Sequence, residues 1–367
     1  MRKITLQPGI DLADYKEAIA REARRVTSYD VALLAGVSQS AVSRCFKPGA
    51  SVSEATLARV MQAARGLDYT PNAAARSLIT RRSNLVAVII SNSVNLQYPE
   101  ALAELSREIT RSGKRLLLFT LARETAAELD AILADVWNYQ VDGVIAAEAL
   151  SNPQVAEFGR RRVPLVLFNR AAPGQAASSV GCDQHQAGAL LLGRLAAAGH
   201  QQFGLIAGPA DAPLALQRTR GARDRARALG LPEPVLVHGG SDYAAGAAGL
   251  RSLIARLGRV PDAVICGNDV LAIGCLDTAR HQLGIDVPGR MSVAGFDTIE
   301  PSGWRNYQLT TLRQPIQLMA RAAADLLTAL IGHGERSGNP LEQRDFGAQF
   351  IEGATARLEP ASAIAAA

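Results

Sequence analysis

The chain of 367 residues is 48% hydrophobic and 20% charged, which is typical of a globular protein with two or three domains. No apolar run approaches the ~20 residues of a membrane helix, and the N-terminus has no signal-peptide core, so a cytoplasmic protein without a membrane partner is expected. The net charge of +5 is uneven, because residues 1–83 contain 13 Lys and Arg against 7 Asp and Glu, and the remainder contains 26 against 27. A basic N-terminal segment suits the neutralisation of nucleic-acid phosphates, although a solvated basic tail has the same composition.

Residues 1–26 contain one helical pattern. Leu12, Tyr15, Ile19 and Ala23 recur at helical spacing, with charged side chains elsewhere around the wheel. The pattern predicts an amphipathic helix in an N-terminal extension. Its role stays open: it packs on the domain that follows, packs on a second subunit, or reflects a misplaced translation start.

Two short helices joined by a turn are predicted next. Ser28 is a suitable N-cap, Asp30 is a favourable first-turn acid, and Gly36 can take the left-handed conformation that ends a helix. Ser38 then caps a second helix, whose polar side consists of Gln39, Ser40, Ser43 and Arg44. This is the pattern of a helix-turn-helix unit, in which the second helix enters the DNA major groove. An ordinary helical hairpin with a solvated polar face is the alternative.

A third helix is expected to open at residues 52–54. Its buried stripe is Val60, Met61, Ala64 and Leu67. The three helices would form an all-α DNA-binding head over residues 27–68. Residues 69–83 follow as a hinge, whose short helix is too marginal to form alone in water, because helix nucleation is costly.

Several motifs stand at fixed spacings in this region. They are Asp30-Val31-Ala32, Ala35-Gly36-Val37-Ser38, Val42-Ser43-Arg44, Val52-Ser53 and Tyr69-x-Pro71-Asn72-x-x-Ala75-Arg76-x-Leu78. With them the chain closely resembles the lactose-repressor (LacI) family of transcription factors. The resemblance implies that the hinge helix forms on DNA and that Leu78 is an apolar wedge placed in the minor groove.

The candidate DNA contacts combine this resemblance with the chemistry of base recognition. Gln and Arg make bidentate bonds to adenine and guanine edges, and Ser can bond to either. The ten candidates are Ser28, Tyr29, Ser38, Gln39, Ser40, Ser43, Arg44, Asn72, Arg76 and Leu78.

From Leu85 onward, short apolar runs alternate with helical stretches. The predicted strands are Leu85–Ile90, Leu116–Phe119, Gly143–Ala146, Leu165–Phe168, Gly204–Ala207, Val235–Val237, Ala263–Cys266 and Ser292–Phe296. Nearly continuous apolar strands between helices indicate α/β lobes built on doubly wound parallel sheets. Residues 84–355 are therefore predicted to form two such lobes, and residues 356–367 a tail. The family resemblance implies that the two lobes are an effector-binding and dimerisation domain.

This half also resembles the family, whose sensor has the periplasmic-binding-protein fold. The resemblance rests on motifs such as Val141-Asp142-Gly143, Gly199-His200, Arg218-x-x-Gly221, Gly295-Phe296-Asp297 and Gln314-Pro315. It implies three crossings between the lobes, expected near Gly181–Asp183, Leu309–Leu312 and Leu341–Phe346. One departure is Tyr307-Gln308, where the family usually has two prolines.

Ligands of open α/β lobes bind beyond the C-terminal ends of the strands. By strand position and by resemblance, seven residues are candidate effector contacts: Tyr98, Asn169, Arg218, Tyr243, Asn268, Asp269 and Asp297. An Arg and an Asp together can hold vicinal hydroxyls through charge-assisted hydrogen bonds. Phe168 and Trp304 are weaker candidates. The structural alternative is turn capping after a strand for Asn268, Asp269 and Asp297, and core packing for Tyr98 and Tyr243.

Enzyme functions are disfavoured, since no P-loop, GxGxxG, GxSxG or HExxH motif is present. The five His are isolated, and the four Cys form no CxxC pair and are interpreted as reduced core residues, so no metal and no cofactor are expected.

The sequence predicts a nucleoid-associated homodimer that represses transcription at a near-palindromic DNA operator. A sugar, sugar derivative or nucleobase between the lobes would control it, as inducer or corepressor. The alternatives are a transporter's solute-binding protein and an enzyme acting on a sugar or nucleoside.

Overall fold

The computed structural model describes residues 11–47, 49–71, 82–91, 96–122, 125–170, 176–333 and 341–358. Residue contacts divide the chain into two units, Met1–Ser83 and Asn84–Ala367. The predicted hinge contacts Asn72, Arg76 and Leu78 lie outside the described residues. Within the described part of the chain, no helix is long and apolar enough to cross a membrane.

The described part of the N-terminal unit contains four helices around one apolar core. They are α1 (Leu12–Arg21), α2 (Ser28–Ala35), α3 (Gln39–Cys45) and α4 (Glu54–Gly66). Gly36 ends α2 with a φ of 61° and Ser38 caps α3, as the sequence predicted. Helix α4 opens within the predicted stretch 52–54, and its N-cap is Ser53. Ser28 is not the N-cap of α2, because the residue before it, Thr27, forms a capping box with Asp30.

The predicted stripe of α4 is confirmed at three of its four positions. Val60, Ala64 and Leu67 are buried in the core with Val31, Leu34 and Val42 of the two preceding helices. Met61 is only partly buried, since Ala63 occupies the core position beside it.

Helix α1, from the extension, packs on the other three helices of its unit. Ile19 is 5% exposed and belongs to their core, with Leu12 and Tyr15 packed at its edge. A Cβ placed on Gly66, at the end of α4, would lie 3.0 Å from Leu12 Cδ2. Lys16 also forms an ion pair with Asp68 at 3.0 Å. Of the three roles left open by the sequence, packing on the domain that follows is the one observed.

The C-terminal unit contains two parallel sheets, each the centre of one lobe. The first sheet comprises β1 (Leu85–Ser91), β2 (Arg115–Leu121), β3 (Gly143–Ala146), β4 (Leu165–Phe168), β5 (Ser178–Cys182) and β11 (Gln343–Phe346). The second comprises β6 (Phe203–Ala207), β7 (Val235–His238), β8 (Ala263–Cys266) and β9 (Ser292–Ala294). The strand order is β11-β5-β4-β3-β1-β2 in the first sheet and β7-β6-β8-β9 in the second. All eight predicted strands are confirmed, with shifts of at most two residues at their ends.

Helices cover both faces of these sheets. In the first lobe they are α5 (Tyr98–Arg111), α6 (Ala126–Asn138), α7 (Asn152–Arg161) and α12 (Ile316–His333). In the second lobe they are α8 (Gln184–Ala197), α9 (Pro213–Ala228), α10 (Tyr243–Leu257) and α11 (Asp269–Asp277). Each sheet separates two apolar clusters, one on each face, as expected for doubly wound lobes.

Two of the three predicted crossings between the lobes are displaced. The first lies between β5 and α8, as predicted. Leu309–Leu312 belongs to the second lobe, where β10 (Thr311–Arg313) pairs antiparallel with β12 (Gln349–Ile351), so the chain crosses just afterwards. Most of Leu341–Phe346 is strand β11 of the first lobe, paired with β5, and the third crossing follows Phe346.

Two helix pairs of the second lobe touch backbone to backbone. A Cβ on Gly188 of α8 would lie 2.0 Å from the carbonyl oxygen of Arg218, and one on Gly221 of α9 would lie 1.9 Å from that of His185. Gly246 of α10 and Gly274 of α11 form the equivalent pair, with distances of 2.1 Å to Leu271 O and 2.0 Å to Tyr243 O. Any side chain at these positions would separate the helices. The close contact at Gly188 and Gly221 fixes the position of α9, and with it the backbone of Arg218, against α8.

Candidate functional site

The polar side of α3 is open to solvent. Ser40, Ser43 and Arg44 are exposed, and Gln39 is half-buried because its amide donates to Ser28 Oγ at 3.2 Å. The hydroxyls of Ser38 and Ser40 lie 2.9 Å apart. Exposed polar groups at the start of a helix, on a compact support, have the form that a recognition helix requires.

The start of α2 is positioned by a buried carboxylate, that of Asp30, which is 4% exposed. Tyr15 Oη of α1 donates to it at 2.8 Å, and two guanidinium nitrogens of Arg24 donate at 2.8 Å each. The backbone N–H and the hydroxyl of Thr27 each donate at 2.7 Å. Burial alone would raise the pKa of Asp30, but the hydrogen bonds from Arg24, Thr27 and Tyr15 outweigh it and hold the pKa well below its usual range.

This network holds the residues beside the candidate DNA contacts Ser28 and Tyr29. Tyr29 is 72% exposed, next to the fixed Asp30. Sequence reasoning missed Tyr15 and Arg24 as members of the site. A Tyr at helical spacing gives no sign that its hydroxyl reaches a carboxylate 15 residues later.

The two lobes enclose a cleft of about 390 Å³ at the C-terminal ends of their strands. From the first lobe it is lined by Gln97, Tyr98, Ala101, Ala147, Phe168, Asn169, Arg170 and Ile316. From the second lobe and the crossing it is lined by Gly208, Pro209, Ala212, Leu214, Ala215, Arg218, Ser241, Asp242, Gly267, Asn268, Leu271, Asp297 and Gln314. Apolar walls with a few convergent polar groups are typical of small-molecule sites.

Arg218 is the central charged group of the cleft. Its Nη2 lies 3.3 Å from Asp297 Oδ1, its Nε donates to Gln184 Oε1 at 2.6 Å, and its Nη1 donates to the carbonyl of Gly267. Its guanidinium carbon is 4.5 Å from the centre of the Phe296 ring, which is a cation–π geometry. The group is therefore held rigidly, with its partners already in place.

Glutamines link the two lobes around this pair. Gln314 donates to Asp297 Oδ1 at 2.8 Å and to Gln97 Oε1 at 3.0 Å, and Gln184 donates to Asn169 Oδ1 at 3.3 Å. Gln97, Gln184 and Gln314 are each at most 6% exposed. None of the three was predicted as a site residue. Gln314-Pro315 was visible as a motif, but nothing in the local sequence distinguishes a Gln that lines a binding site from a Gln in an ordinary turn.

Asn169 and Asp297, both predicted, have positive φ angles of 52° and 104°. Such angles are uncommon for residues with a side chain and often occur at ligand sites. Asn268 also lines the cleft, where it caps α11 by accepting from Leu271 N at 2.7 Å. Asn268 therefore has both predicted features: it caps a helix and it lies in the cleft.

Tyr98 lines the cleft as predicted, but Tyr243 and Asp269 do not belong to its lining. Tyr243 is 44% exposed and its hydroxyl donates to Asp277 at 2.9 Å, since α10 turns it towards α11. Asp269 is fully buried beneath the cleft, where it accepts from Thr311 Oγ1 at 2.6 Å and from Ile299 N at 3.0 Å. Of the weaker candidates, Phe168 lines the cleft and Trp304 does not.

The environment of Asp269 disfavours its charged form. Burial raises its pKa to about 7, and the nearby charge of Asp297 acts in the same direction. The hydrogen bond from Thr311 opposes this shift only in part. Asp269 therefore titrates near neutral pH, at the point where α11 meets β10, just before the chain crosses to the first lobe.

Over the described part of the chain, no three His, Cys, Asp or Glu side chains are grouped so as to hold a metal ion. The polar groups of the cleft are instead donors and acceptors suited to a hydroxylated organic ligand.

Comparisons with known proteins agree for both units. Residues 27–72 match the family described as "Bacterial regulatory proteins, lacI family", and residues 192–355 match "Periplasmic binding protein-like domain". The HTH-type transcriptional repressor CytR of Escherichia coli (strain K12) is 31% identical over 307 residues, which span 82% of this chain and 88% of CytR.

Solved structures give the same result. A transcriptional regulator CelR–cellobiose complex aligns with a TM-score of 0.68 and 26% identity over 90% of this chain and 100% of that one. The Lac repressor dimer bound to operator and the anti-inducer ONPF aligns with a TM-score of 0.81 and 24% identity over 90% of this chain and 99% of that one, which shows the shared fold.

Proposed function

The chain belongs to the lacI family of bacterial regulatory proteins, and from that premise we propose that it is a homodimer whose affinity for a near-palindromic operator is set by a small molecule in the cleft. As a family member it is a DNA-binding transcriptional regulator with a helix-turn-helix head and an effector-binding domain, and not an enzyme. We expect it to act in the cytoplasm, on DNA of the nucleoid.

The DNA contacts that we propose start with the exposed side of α3. Gln39, Ser40 and Arg44 would read base edges in the major groove, with Ser28, Tyr29, Ser38 and Ser43 beside them on the backbone or on bases. The hinge residues Asn72, Arg76 and Leu78 would act in the minor groove. A two-fold dimer presents two such heads, which is why the operator should be nearly palindromic.

The observation that carries the effector proposal is the Arg218–Asp297 pair in the cleft. The pair is fixed by Gln184 and Gln314, so a ligand hydroxyl can bond to both charges without reorganising them. Because one lobe supplies Asn169 and the other supplies the pair, a bound sugar, sugar derivative or nucleobase would favour one arrangement of the lobes. That preference would change how the dimer holds its two hinges and so shift the affinity for DNA.

The test substitutes Arg218 and a matched residue. A thermal-shift screen of sugars, sugar phosphates and nucleobases first identifies a ligand, and operator DNA is then titrated with and without it. Arg218→Ala should weaken ligand binding by about tenfold or more, since hydrogen bonds to charged groups contribute roughly 1.5–3 kcal/mol. The operator affinity of Arg218→Ala should stay at the ligand-free value of the wild type, whether the ligand is an inducer or a corepressor.

Arg220→Ala is the control. Arg220 is exposed on the same helix, two residues away, and does not line the cleft. A ligand response of Arg218→Ala equal to that of wild type and Arg220→Ala would contradict the assignment of the cleft as the effector site.

A further inference from the structure

The charged side chains that line the cleft are two Arg and two Asp, and three of the four already face an opposite charge or the positive end of a helix dipole. Arg218 and Asp297 pair with each other at 3.3 Å. Asp242 is the N-cap of α10, where it accepts from Ala245 N at 2.8 Å, beside the positive end of the helix dipole. Arg170 is the exception.

Arg170 follows β4 of the first lobe and is partly buried. Its Nη1 donates to the carbonyl of Asn169 at 3.0 Å, and its Nη2 donates to Tyr98 Oη at 3.4 Å. Neither partner is charged, and Arg170 forms no ion pair with a carboxylate of the described residues. The segment 171–175, which follows Arg170 in the sequence, contains no Asp or Glu.

A guanidinium has five N–H donors, and these two bonds leave three of them for a ligand. Tyr98 Oη accepts from Arg170 and, at 3.5 Å, from Ser91 Oγ, so its own proton can also point to a ligand oxygen. Donors without acceptors in a half-buried setting favour an anionic group, because charge-assisted hydrogen bonds are the strong ones.

The two Arg therefore differ in what they can bind. Arg218 is neutralised by Asp297, which suits hydroxyl groups, whereas Arg170 has no carboxylate counterion among the described residues. On the basis of the proposed effector role, we propose that Arg170 and Tyr98 form an anion subsite, and that the effector is a polyhydroxylated molecule carrying a phosphate or carboxylate group. Its anionic end lies on the first lobe, and its hydroxyl groups lie on Arg218 and Asp297 of the second.

The experiment compares neutral molecules with their anionic derivatives. Glucose, glucose 6-phosphate and glucuronate form one set, ribose and ribose 5-phosphate form another, and inorganic phosphate is titrated alone. Binding is measured by calorimetry on the full-length protein. Wild type should bind inorganic phosphate, and in at least one set it should bind an anionic member more tightly than the neutral parent by about tenfold or more. Comparing the sugar phosphates with glucuronate identifies whether the subsite prefers a phosphate or a carboxylate group.

The variants are Arg170→Gln, which keeps a polar side chain with N–H donors and removes the charge, and Arg220→Gln as the exposed control. Arg170→Gln should lose the preference for the anion and the binding of inorganic phosphate, while its affinity for the neutral parent stays within about twofold. Arg220→Gln should behave as wild type. An unchanged anion preference in Arg170→Gln, or no binding of inorganic phosphate and of every anionic sugar to wild type, would overturn the proposal.

Operator titrations separate this proposal from the effector function. A neutral sugar that shifts operator affinity, with no preference for its anionic derivative, leaves the effector function intact and removes the anion subsite. An anionic sugar that binds through Arg170 without changing operator affinity supports the anion subsite and contradicts the effector function.

Discussion

Asp30 in the head and Asp269 in the sensor are both buried carboxylates near the start of a helix, yet their pKa values move in opposite directions. Burial disfavours the charged form of both groups and by itself raises the pKa of each. Asp30 receives hydrogen bonds from a guanidinium and from neutral donors, so its charged form prevails. Asp269 receives hydrogen bonds only from neutral donors and lies near the charge of Asp297, so its pKa rises to about 7. The Arg24 guanidinium is the main difference: Asp30, which has it, stays ionised, and Asp269, which has no such partner among the described residues, titrates near neutral pH.

The largest expected effect follows from removing the carboxylate in the head. Asp30→Ala leaves Arg24, Tyr15 and the N–H of Thr27 without their acceptor, so the free energy of unfolding of the head should fall by about 2 kcal/mol. The figure is below that for a fully buried pair, because the Arg24 side chain is 38% exposed. Hydrogen exchange of head peptides in the full-length protein measures it. Asp14→Ala, at an exposed position of α1, is the control and should change little.

The second prediction concerns pH. The raised pKa of Asp269 means that the folded state binds its proton more tightly than the unfolded chain, whose Asp pKa is ~3.9. The stability that this group contributes is complete below about pH 4 and is lost as the pH rises towards about 7. The melting temperature of the sensor should therefore decrease by several degrees over this range. Tryptophan fluorescence reports it, because Trp137 and Trp304 both lie in the sensor.

Asp269→Asn should make this dependence weaker. The amide can still accept from Ile299 N, and it can donate to Thr311 Oγ1, which a hydroxyl tolerates in either role. A difference in melting temperature between acid and neutral pH that is the same in Asp269→Asn and wild type would show that other groups cause it.

The smallest effect is expected for Tyr15→Phe. The substitution removes one hydrogen bond to Asp30 and leaves the Arg24 and Thr27 bonds in place, so head stability should decrease by about 1 kcal/mol. Tyr29→Phe, at a hydroxyl that is exposed, should leave it unchanged. Equal stabilities of the two variants would mean that the hydrogen bond from Tyr15 to Asp30 does not stabilise the head.

Local signals were sufficient for much of the fold. Caps such as Ser38 and Ser53 depend on neighbours three residues away, and apolar strands such as Ala263–Cys266 are evident from composition. Strands β5 and β11 were missed. β11 carries three polar side chains, and β5 begins with two serines and becomes buried only because β4 and β11 flank it.

The site was less predictable, because its contacts join distant parts of the chain. Arg218 and Asp297 were predicted from strand position and resemblance, and the structure brings them together. The hydrogen bond between Gln97 and Gln314 spans 217 residues, so no local spacing could indicate it. Tyr243 and Asp269 were displaced from the cleft by the orientation of α10 and α11, which the glycine contacts between those helices determine.

Those glycine contacts also determine which parts of the sensor can move. Gly188 with Gly221, and Gly246 with Gly274, bring each helix pair so close that its members cannot slide apart independently, and each pair behaves as a single rigid block. Any movement of one lobe against the other is then expected at the three chain segments that connect them. Side chains on the cleft side of these helices can therefore be exchanged, and the ligand preference changed, without altering the packing of the helix pairs that carry them.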